Sequence, residues 1–205
     1  KDATTMQLIG REPIGVVGQI IPWNVPYIIA AWKLGPALAT GCTVVLKPST
    51  HASLGTLEFM KCIHDILPPG VINVVTGGGA RCGQYLLDHP GLRKLSFTGS
   101  TEVGRAVGLA AAEKIIPCTL ELGGKSVDII FPDADREKVK SGLMAYLANA
   151  AQVCSAGSRL LVHEDIYDEI VELCADLYRK VKVGLPWEDE SEMGHWPTVN
   201  ILTRL

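Results

Sequence analysis

The feature that most constrains this chain is a rhythm in which short β-branched runs alternate with longer stretches of helical pattern. "IGVVGQII" (14–21) reads as a strand and "VPYIIAAWKLGPALATG" (25–41) as a helix; "CTVVLK" (42–47) and "ASLGTLEFMKCIHDIL" (52–67) repeat the pair. "VINVVTGG" (71–78) and "KLSFTG" (94–99) are two further strands, followed by helical stretches over 80–89 and 101–113. Strands and helices in this order indicate βαβ units and a parallel sheet. Right-handed crossovers then predict an α/β fold, a Rossmann-like doubly wound layer. The pattern leaves the strand order open. A hydrophobic content of 47% with 20% charged residues suits strands covered on both faces.

"CTLELGGKSVDIIF" (118–131) breaks the rhythm, because two strand-like runs flank a glycine pair. Such a pair, followed by lysine and serine, reads as a hinge between domains. Beyond it lie a helical stretch (135–153), a strand (158–164) and an amphipathic helix (165–183). Two strands and two helices are too few for a complete domain. The expectation is a first domain over 14–124 and the truncated start of a second α/β domain over 125–205. After "GHWPTVNILTRL" the chain stops with no closing element, so it is expected to be cut.

Other classes are disfavoured. A net charge of −3 gives no reason to expect nucleic acid or an anionic membrane as partner. No apolar run has transmembrane length, and "KDATTMQLIG" does not resemble a signal peptide. The six cysteines (42, 62, 82, 118, 154 and 174) form no CxxC pair and have no histidine at ligand spacing. That argues against a metal site or a disulfide framework and favours a reducing, cytoplasmic setting.

In an open parallel sheet, ligands gather at the carboxyl ends of the strands. Here those ends run into "PWNVP" (22–26), "KPST" (47–50), "TGGG" (76–79) and "TGSTEVG" (98–104). "GSTEVG" opening a helix presents backbone N–H groups and the Ser100 hydroxyl to a phosphate. Taken singly, each feature has a plainer explanation. Lys47 reads as a solvated lysine, Asn24 as a turn residue between prolines, and Cys154 in "ANAAQVCSAGSR" as a small buried hydrophobe, the commonest fate of a free cysteine. The remaining cysteines and the histidines, including His51, His64 and His195, read as structural.

Taken together, "PWNVP", "KPS", "FTGSTEVG", "LELGGKS" and "QVCSAGSR", in this order over about residues 11–194, resemble the aldehyde dehydrogenase superfamily. The glutamate of "LELGG" stands 33 positions before the cysteine of "QVC", which also fits. The resemblance implies oxidation of a small-molecule aldehyde to a carboxylic acid, with NAD or NADP as acceptor, through a cysteine thiohemiacetal and thioester. Cys154 would be the nucleophile, Asn24 an oxyanion donor, and Glu121 the base for thioester hydrolysis, helped by partial burial. Lys47 would reach the adenosine ribose, Gly99 and Ser100 the pyrophosphate, and Gly77 the region near the adenine. Ile21, Trp23 and Lys33 occupy positions resembling pocket-lining or ribose-side residues. The resemblance also implies a homodimer or homotetramer, residues 1–13 being the remnant of an oligomerisation arm.

Two departures stand out. Many NAD-preferring relatives carry glutamate three residues after this lysine, where it binds the ribose hydroxyls; here the residue is Thr50. Nothing at Thr50 repels a 2′-phosphate, and His51 and Lys47 favour one, so NADP is expected to be tolerated or preferred. Near the nucleophile, N-A-A-Q-V-C has Ala151 where many relatives have glycine. Past Gly194 the match fades. Two alternatives stay open: a CoA-acylating semialdehyde dehydrogenase, against which Glu121 speaks, and a nucleotide-binding piece without turnover.

Overall fold

The computed structural model describes Thr4, residues 6–63 and residues 65–194. His64, His195, the segment from 195 onward and part of the expected 1–13 arm lie outside the described residues. Two compact units meet in sequence at Leu122–Gly123. Among the described residues no helix is long and apolar enough to cross a membrane, and no cluster of three or more His, Cys, Asp or Glu is placed to hold a metal ion.

The first unit is a five-stranded parallel sheet in the order β3-β2-β1-β4-β5. Its strands are β1 (Val16–Ile21), β2 (Thr43–Pro48), β3 (Ile72–Val74), β4 (Lys94–Gly99) and β5 (Cys118–Leu122). The helices are α1 (Pro26–Ala39), α2 (Ser53–Ile63), α3 (Gln84–Asp88) and α4 (Thr101–Glu113). Alternation along the strands sorts the core into two layers. Ile21, Val44 and Leu46 pack with Ile29, Ala30 and Leu34 of α1 and with Phe59 and Met60 of α2. Val16, Ile20, Val45, Leu95 and Phe97 pack with Leu86 and Leu87 of α3 and Val107 and Ala111 of α4. Helices thus cover both faces, and the sheet is doubly wound as expected. The order reverses at β1: β2 and β3 build outward on one side, β4 and β5 on the other. The crevice at that switch point lies between the carboxyl ends of β1 and β4.

The elements are shorter than the sequence pattern implies where backbone chemistry intervenes. The expected 71–78 strand keeps only Ile72–Val74, because Gly77 takes φ +151° and the chain turns into a wide helical turn over Gly79–Gly83. Pro36 sits inside α1, where it removes one backbone donor.

The second unit contains β6 (Ser126–Ile130) paired in parallel with β7 (Gly157–Val162), crossed by α5 (Arg136–Ala145) and backed by α6 (Tyr167–Tyr178). Ile130, Ile166 and Ile170 form its core, with Val139, Leu160, Val162 and Leu173 against them. Asp135 caps α5, accepting from the amides of Glu137 and Lys138 at 2.9 and 3.4 Å. Arg136 at the start of α5 makes a two-pronged ion pair with Glu169 of α6 at 2.5 and 3.0 Å. A two-residue pairing of β8 (Val183–Gly184) with β9 (Met193–Gly194) follows.

The helix expected over 135–153 ends at Ala145. Asn149, Ala150 and Ala151 adopt left-handed φ values of 52°, 53° and 60°, and Asn149 exchanges local hydrogen bonds with Gln152. The Gln152 side chain donates to the Asn149 carbonyl (2.9 Å), and the Asn149 side chain to the Gln152 carbonyl (3.3 Å). Short polar side chains that bond nearby backbone compete with the helix in this way.

Candidate active site

The carboxyl edge of the first sheet gathers the candidate residues of the first unit. Ile21 ends β1 and is fully buried; Trp23 and Asn24 follow it in the turn before α1, both half-buried. Lys47 lies one residue before the end of β2 in register with Ile20, which places it on the α3–α4 face. It is not the solvated lysine that position alone suggests: only 4% of it is exposed. Its ammonium donates to the Pro48 carbonyl at 3.1 Å, and burial lowers its pKa from the ordinary lysine value. Thr50 and His51 lie just beyond β2, exposed, in a short helical turn over Thr50–Ala52.

Gly77 turns away after β3 on the same side. With φ at +151°, a methyl there would stand 2.8 Å from Cys82 Cβ. Cys82 in turn lies near the Lys47 ammonium. A largely apolar cavity of about 650 Å³ borders Gly77 and Cys82 and runs back over Val45 and Val16 toward Leu92. That volume lies within the range of small-molecule pockets.

Ser100 is the N-cap of α4, its hydroxyl accepting from the Val103 amide at 3.3 Å. A thirteen-residue helix begins there with its first N–H groups unpaired within the helix, and such an end attracts an anion. Gly99, just before it, has its Cα against the Phe97 ring, where a methyl would approach to 2.6 Å. A side chain at Gly99 would therefore disturb the turn that aims this helix.

Glu121 occupies the edge strand β5 in register with Thr98. Strand alternation puts it on the α1–α2 face, opposite Lys47. Glu121 is exposed rather than partly buried, because among the described residues β5 is the edge strand of the sheet. What lies beneath that face is the more informative finding. Lys33 of α1, 8% exposed, donates its ammonium to Ser96 Oγ at 2.8 Å. Gln19 of β1, 1% exposed, donates to the Lys33 carbonyl at 2.8 Å, while its own carbonyl oxygen is buried without a partner. Burial lowers the Lys33 pKa from 10.5 to about 8, against the opposing pull of the Glu121 charge. A faint signal of this cluster lies in a glutamine and a serine at inward positions of two largely apolar strands, "VVGQII" and "KLSFTG".

In the second unit Cys154 is exposed at the tip of a loop between α5 and β7. The Ala156 amide donates to the Val153 carbonyl at 3.0 Å, so Cys154 and Ser155 are the two central residues of a tight turn. Gly124 packs against this turn, and a methyl there would stand 3.0 Å from the Cys154 carbonyl. The "NAAQ" ahead of the cysteine is the left-handed turn braced by Asn149 and Gln152. Sequence reasoning missed what lies at the base of the loop. There the Tyr146 hydroxyl donates to Asp128 Oδ2 at 3.0 Å, and the Tyr146 ring covers Gly157, where any methyl would overlap it.

Comparison with known proteins places the chain in a family. The profile of the aldehyde dehydrogenase family matches residues 1–200. An aldehyde dehydrogenase of Vibrio cholerae serotype O1 is 45% identical over 200 residues, which cover 94% of this chain and 39% of that protein. Among solved structures, an NAD⁺ complex of an aldehyde dehydrogenase from Bacillus cereus superposes with a TM-score of 0.91 at 44% identity, covering 94% of this chain and 40% of that one. The betaine aldehyde dehydrogenase of Staphylococcus aureus, in complex with NAD⁺, gives 0.88 at 40% identity over 92% of this chain and 38% of its own. The chain thus spans about two-fifths of the length of the relatives it matches. On the strength of that match over nearly its whole length, the chain belongs to the aldehyde dehydrogenase family.

Proposed function

We propose that this chain carries the dinucleotide-binding and nucleophile-bearing parts of an enzyme that oxidises an aldehyde to a carboxylic acid, its first unit holding NAD or NADP and its second beginning the catalytic domain. The observation that carries the proposal is Cys154: an exposed thiol at the centre of a tight turn, braced on one side by Asn149 and Gln152 and approached on the other by a glycine. The first unit fits a dinucleotide. A capped helix N-terminus at Ser100 suits a pyrophosphate, a buried ammonium at Lys47 suits ribose or phosphate oxygens, and the largely apolar cavity bordered by Gly77 suits a flat ring.

The Cys154 sulfur adds to the aldehyde carbonyl, forming a carbon–sulfur bond and an oxyanion. The Asn24 amide and the Cys154 backbone N–H donate to that oxyanion, the usual way such charge is stabilised. A dinucleotide held by Lys47, Gly99 and Ser100 would supply the hydride acceptor; once the thiohemiacetal carbon has lost its hydride, a thioester remains on Cys154. Glu121 then removes a proton from the water that attacks the thioester, releasing the carboxylic acid and the thiol. An exposed carboxylate is open to that water, so its position on an edge strand serves this role.

Thr50 extends the proposal to NADP. An exposed threonine followed by an exposed histidine offers hydroxyl and imidazole groups to a 2′-phosphate, where a carboxylate would repel it. The decisive assay follows NAD(P)H formation at 340 nm with a panel of aldehydes. Cys154→Ala abolishes turnover; Glu121→Gln accumulates an acyl adduct on Cys154 visible by intact mass. Turnover that survives Cys154→Ala overturns the mechanism. The chain's two-fifths span of its relatives favours one second possibility, dinucleotide binding without turnover. Calorimetric binding of NAD or NADP with no reduced product for any aldehyde is its signature.

A further inference from the structure

The loop that carries Cys154 leaves α5 at Tyr146 and re-enters the sheet at Gly157, the first residue of β7. Its two ends therefore meet at one side chain. The Tyr146 ring lies against the Gly157 Cα, so closely that no residue with a Cβ fits there. The hydroxyl of the same ring reaches Asp128 of β6 at 3.0 Å. A second tyrosine steadies the departure point: Tyr178 of α6 donates to the Leu143 carbonyl in the last turn of α5 at 3.0 Å. Burial first, and the Asp128 hydrogen bond second, raise the Tyr146 pKa well above the ordinary phenol value. The hydroxyl consequently stays a donor at neutral pH.

This geometry differs from ordinary core packing. A compact loop with closed ends holds its tip through its own side chains and its base. Here the tip is the tight turn at Cys154, and its backbone conformation is expensive: three successive non-glycine residues are left-handed. Such residues persist only where the surroundings over-determine them. The local brace is Asn149–Gln152, and the base is Tyr146 between Gly157 and Asp128. Release of the base leaves a strained turn free to relax toward ordinary backbone.

We infer that Tyr146 is a positioning residue for Cys154: its ring on Gly157 and its hydroxyl on Asp128 lock the base of the nucleophile loop and so hold the thiol in one place. The inference rests on the proposed role of Cys154 for its functional meaning, but not for its physical content. Tyr146 touches neither substrate nor cofactor in this account; it acts through the loop.

The test uses the 205-residue chain and two readouts. Hydrogen exchange at the Ala156 amide, which closes the turn, reports the lock itself. The rate of iodoacetamide alkylation at Cys154, relative to exposed Cys62 in the same molecule, reports the thiol. Tyr146→Leu removes ring and hydroxyl, Tyr146→Phe only the hydroxyl. Asp128→Ala removes the acceptor, whereas Asp128→Asn keeps an acceptor oxygen. Tyr146→Leu is expected to speed Ala156 exchange at least tenfold with Ile170 of the unit core unchanged, and to lower the Cys154-to-Cys62 ratio at least threefold. Tyr146→Phe and Asp128→Ala each speed Ala156 exchange at least threefold. Their double variant is no worse than either alone, and Asp128→Asn stays within twofold of wild type. Equal acceleration at Ala156 and Ile170 would mean a general stabilising role and overturns the inference, as does an unchanged alkylation ratio in Tyr146→Leu. A wild-type Cys154 no more reactive than Cys62 counts against the proposed function alone, because the exchange data still decide the lock.

Discussion

Replacing Lys33 by methionine tests the charge buried beneath Glu121. Methionine keeps the apolar stem and removes the ammonium, and the Gln19 bond to the residue-33 backbone carbonyl survives the change. In the folded protein the Lys33 pKa is about 8; its ordinary value is 10.5. Between these values the unfolded chain holds a proton that the folded chain has released. The number of bound protons is then larger in the unfolded state, so the stability of the wild type rises with pH across this window. One pH unit is worth about 1.4 kcal/mol, and the whole gap therefore about 3.4 kcal/mol as an upper bound. Roughly three-quarters of the gap falls between pH 7 and pH 10, and some screening by solvent reduces it. An effect of about 2 kcal/mol remains.

The assay is urea unfolding of wild type and Lys33→Met by circular dichroism at pH 7 and pH 10. Each comparison is made within one pH, so that the titration of other lysines and tyrosines cancels. At pH 7 the wild type carries the cost of a desolvated ammonium, offset by the Ser96 hydrogen bond (about 1 kcal/mol) and by attraction to Glu121. Methionine is therefore equal or more stable there. At pH 10 the wild-type amine is neutral and the advantage passes to lysine. The difference between the two proteins is expected to move by about 2 kcal/mol in favour of wild type on going from pH 7 to pH 10. A difference flat to within about 0.5 kcal/mol would refute the burial argument.

Ala151→Gly relieves a left-handed alanine at φ 60°, worth about 1–2 kcal/mol, against about 0.5–1 kcal/mol of added unfolded-state entropy. A net gain of about 0.5 kcal/mol should appear as a small rise in the urea midpoint. Gly157→Ala drives a methyl into the Tyr146 ring and should cost about 2 kcal/mol by the same measurement; the cost should largely vanish in a Tyr146→Ala background. With NAD and NADP compared on the same preparation, kcat/KM for NADP should lie within about tenfold of that for NAD, and strict NAD selectivity would remove the role given to Thr50. Thr50→Glu should shift the ratio toward NAD.

The doubly wound sheet was legible because its signal is local and repeated. β-branched runs such as Val16–Ile21 and Thr43–Leu46 read as strands, and the helical stretches between them indicate parallel pairing. The strand order was not legible, since nothing within one strand names its neighbour; it emerges from which faces Leu95 and Phe97 share with Val45. The placement of the candidate residues at the carboxyl edge was equally visible, because Lys47, Gly77, Ser100 and Glu121 each lie at or near the end of an identifiable strand. Their burial was not. Lys47 looks the same in sequence whether it is solvated or, as here, enclosed by Cys82 and Gly83. Conversely, the exposure of Glu121 follows from β5 being the sheet edge, a property of five strands together.

The least legible part is the loop before Cys154, and the reason is a competition between two short-range preferences. "REKVKSGLMAYLANAAQV" reads as a helix along most of its length, and alanines are the best helix formers. The helix nevertheless ends at Ala145, because continuing it would carry Cys154 along a helix face and away from the start of β7. Tyr146 must lie over Gly157 while its hydroxyl finds Asp128, two residues 11 and 18 positions distant. Once that long-range lock is made, the chain between has to reverse within a few residues, and Asn149 is the residue best able to start a left-handed turn. Ala150 and Ala151 follow it at a cost that glycine would avoid. The identity of residue 151 is therefore a measure of how firmly the base is held: a looser base would have let two alanines fall back into the helix they prefer.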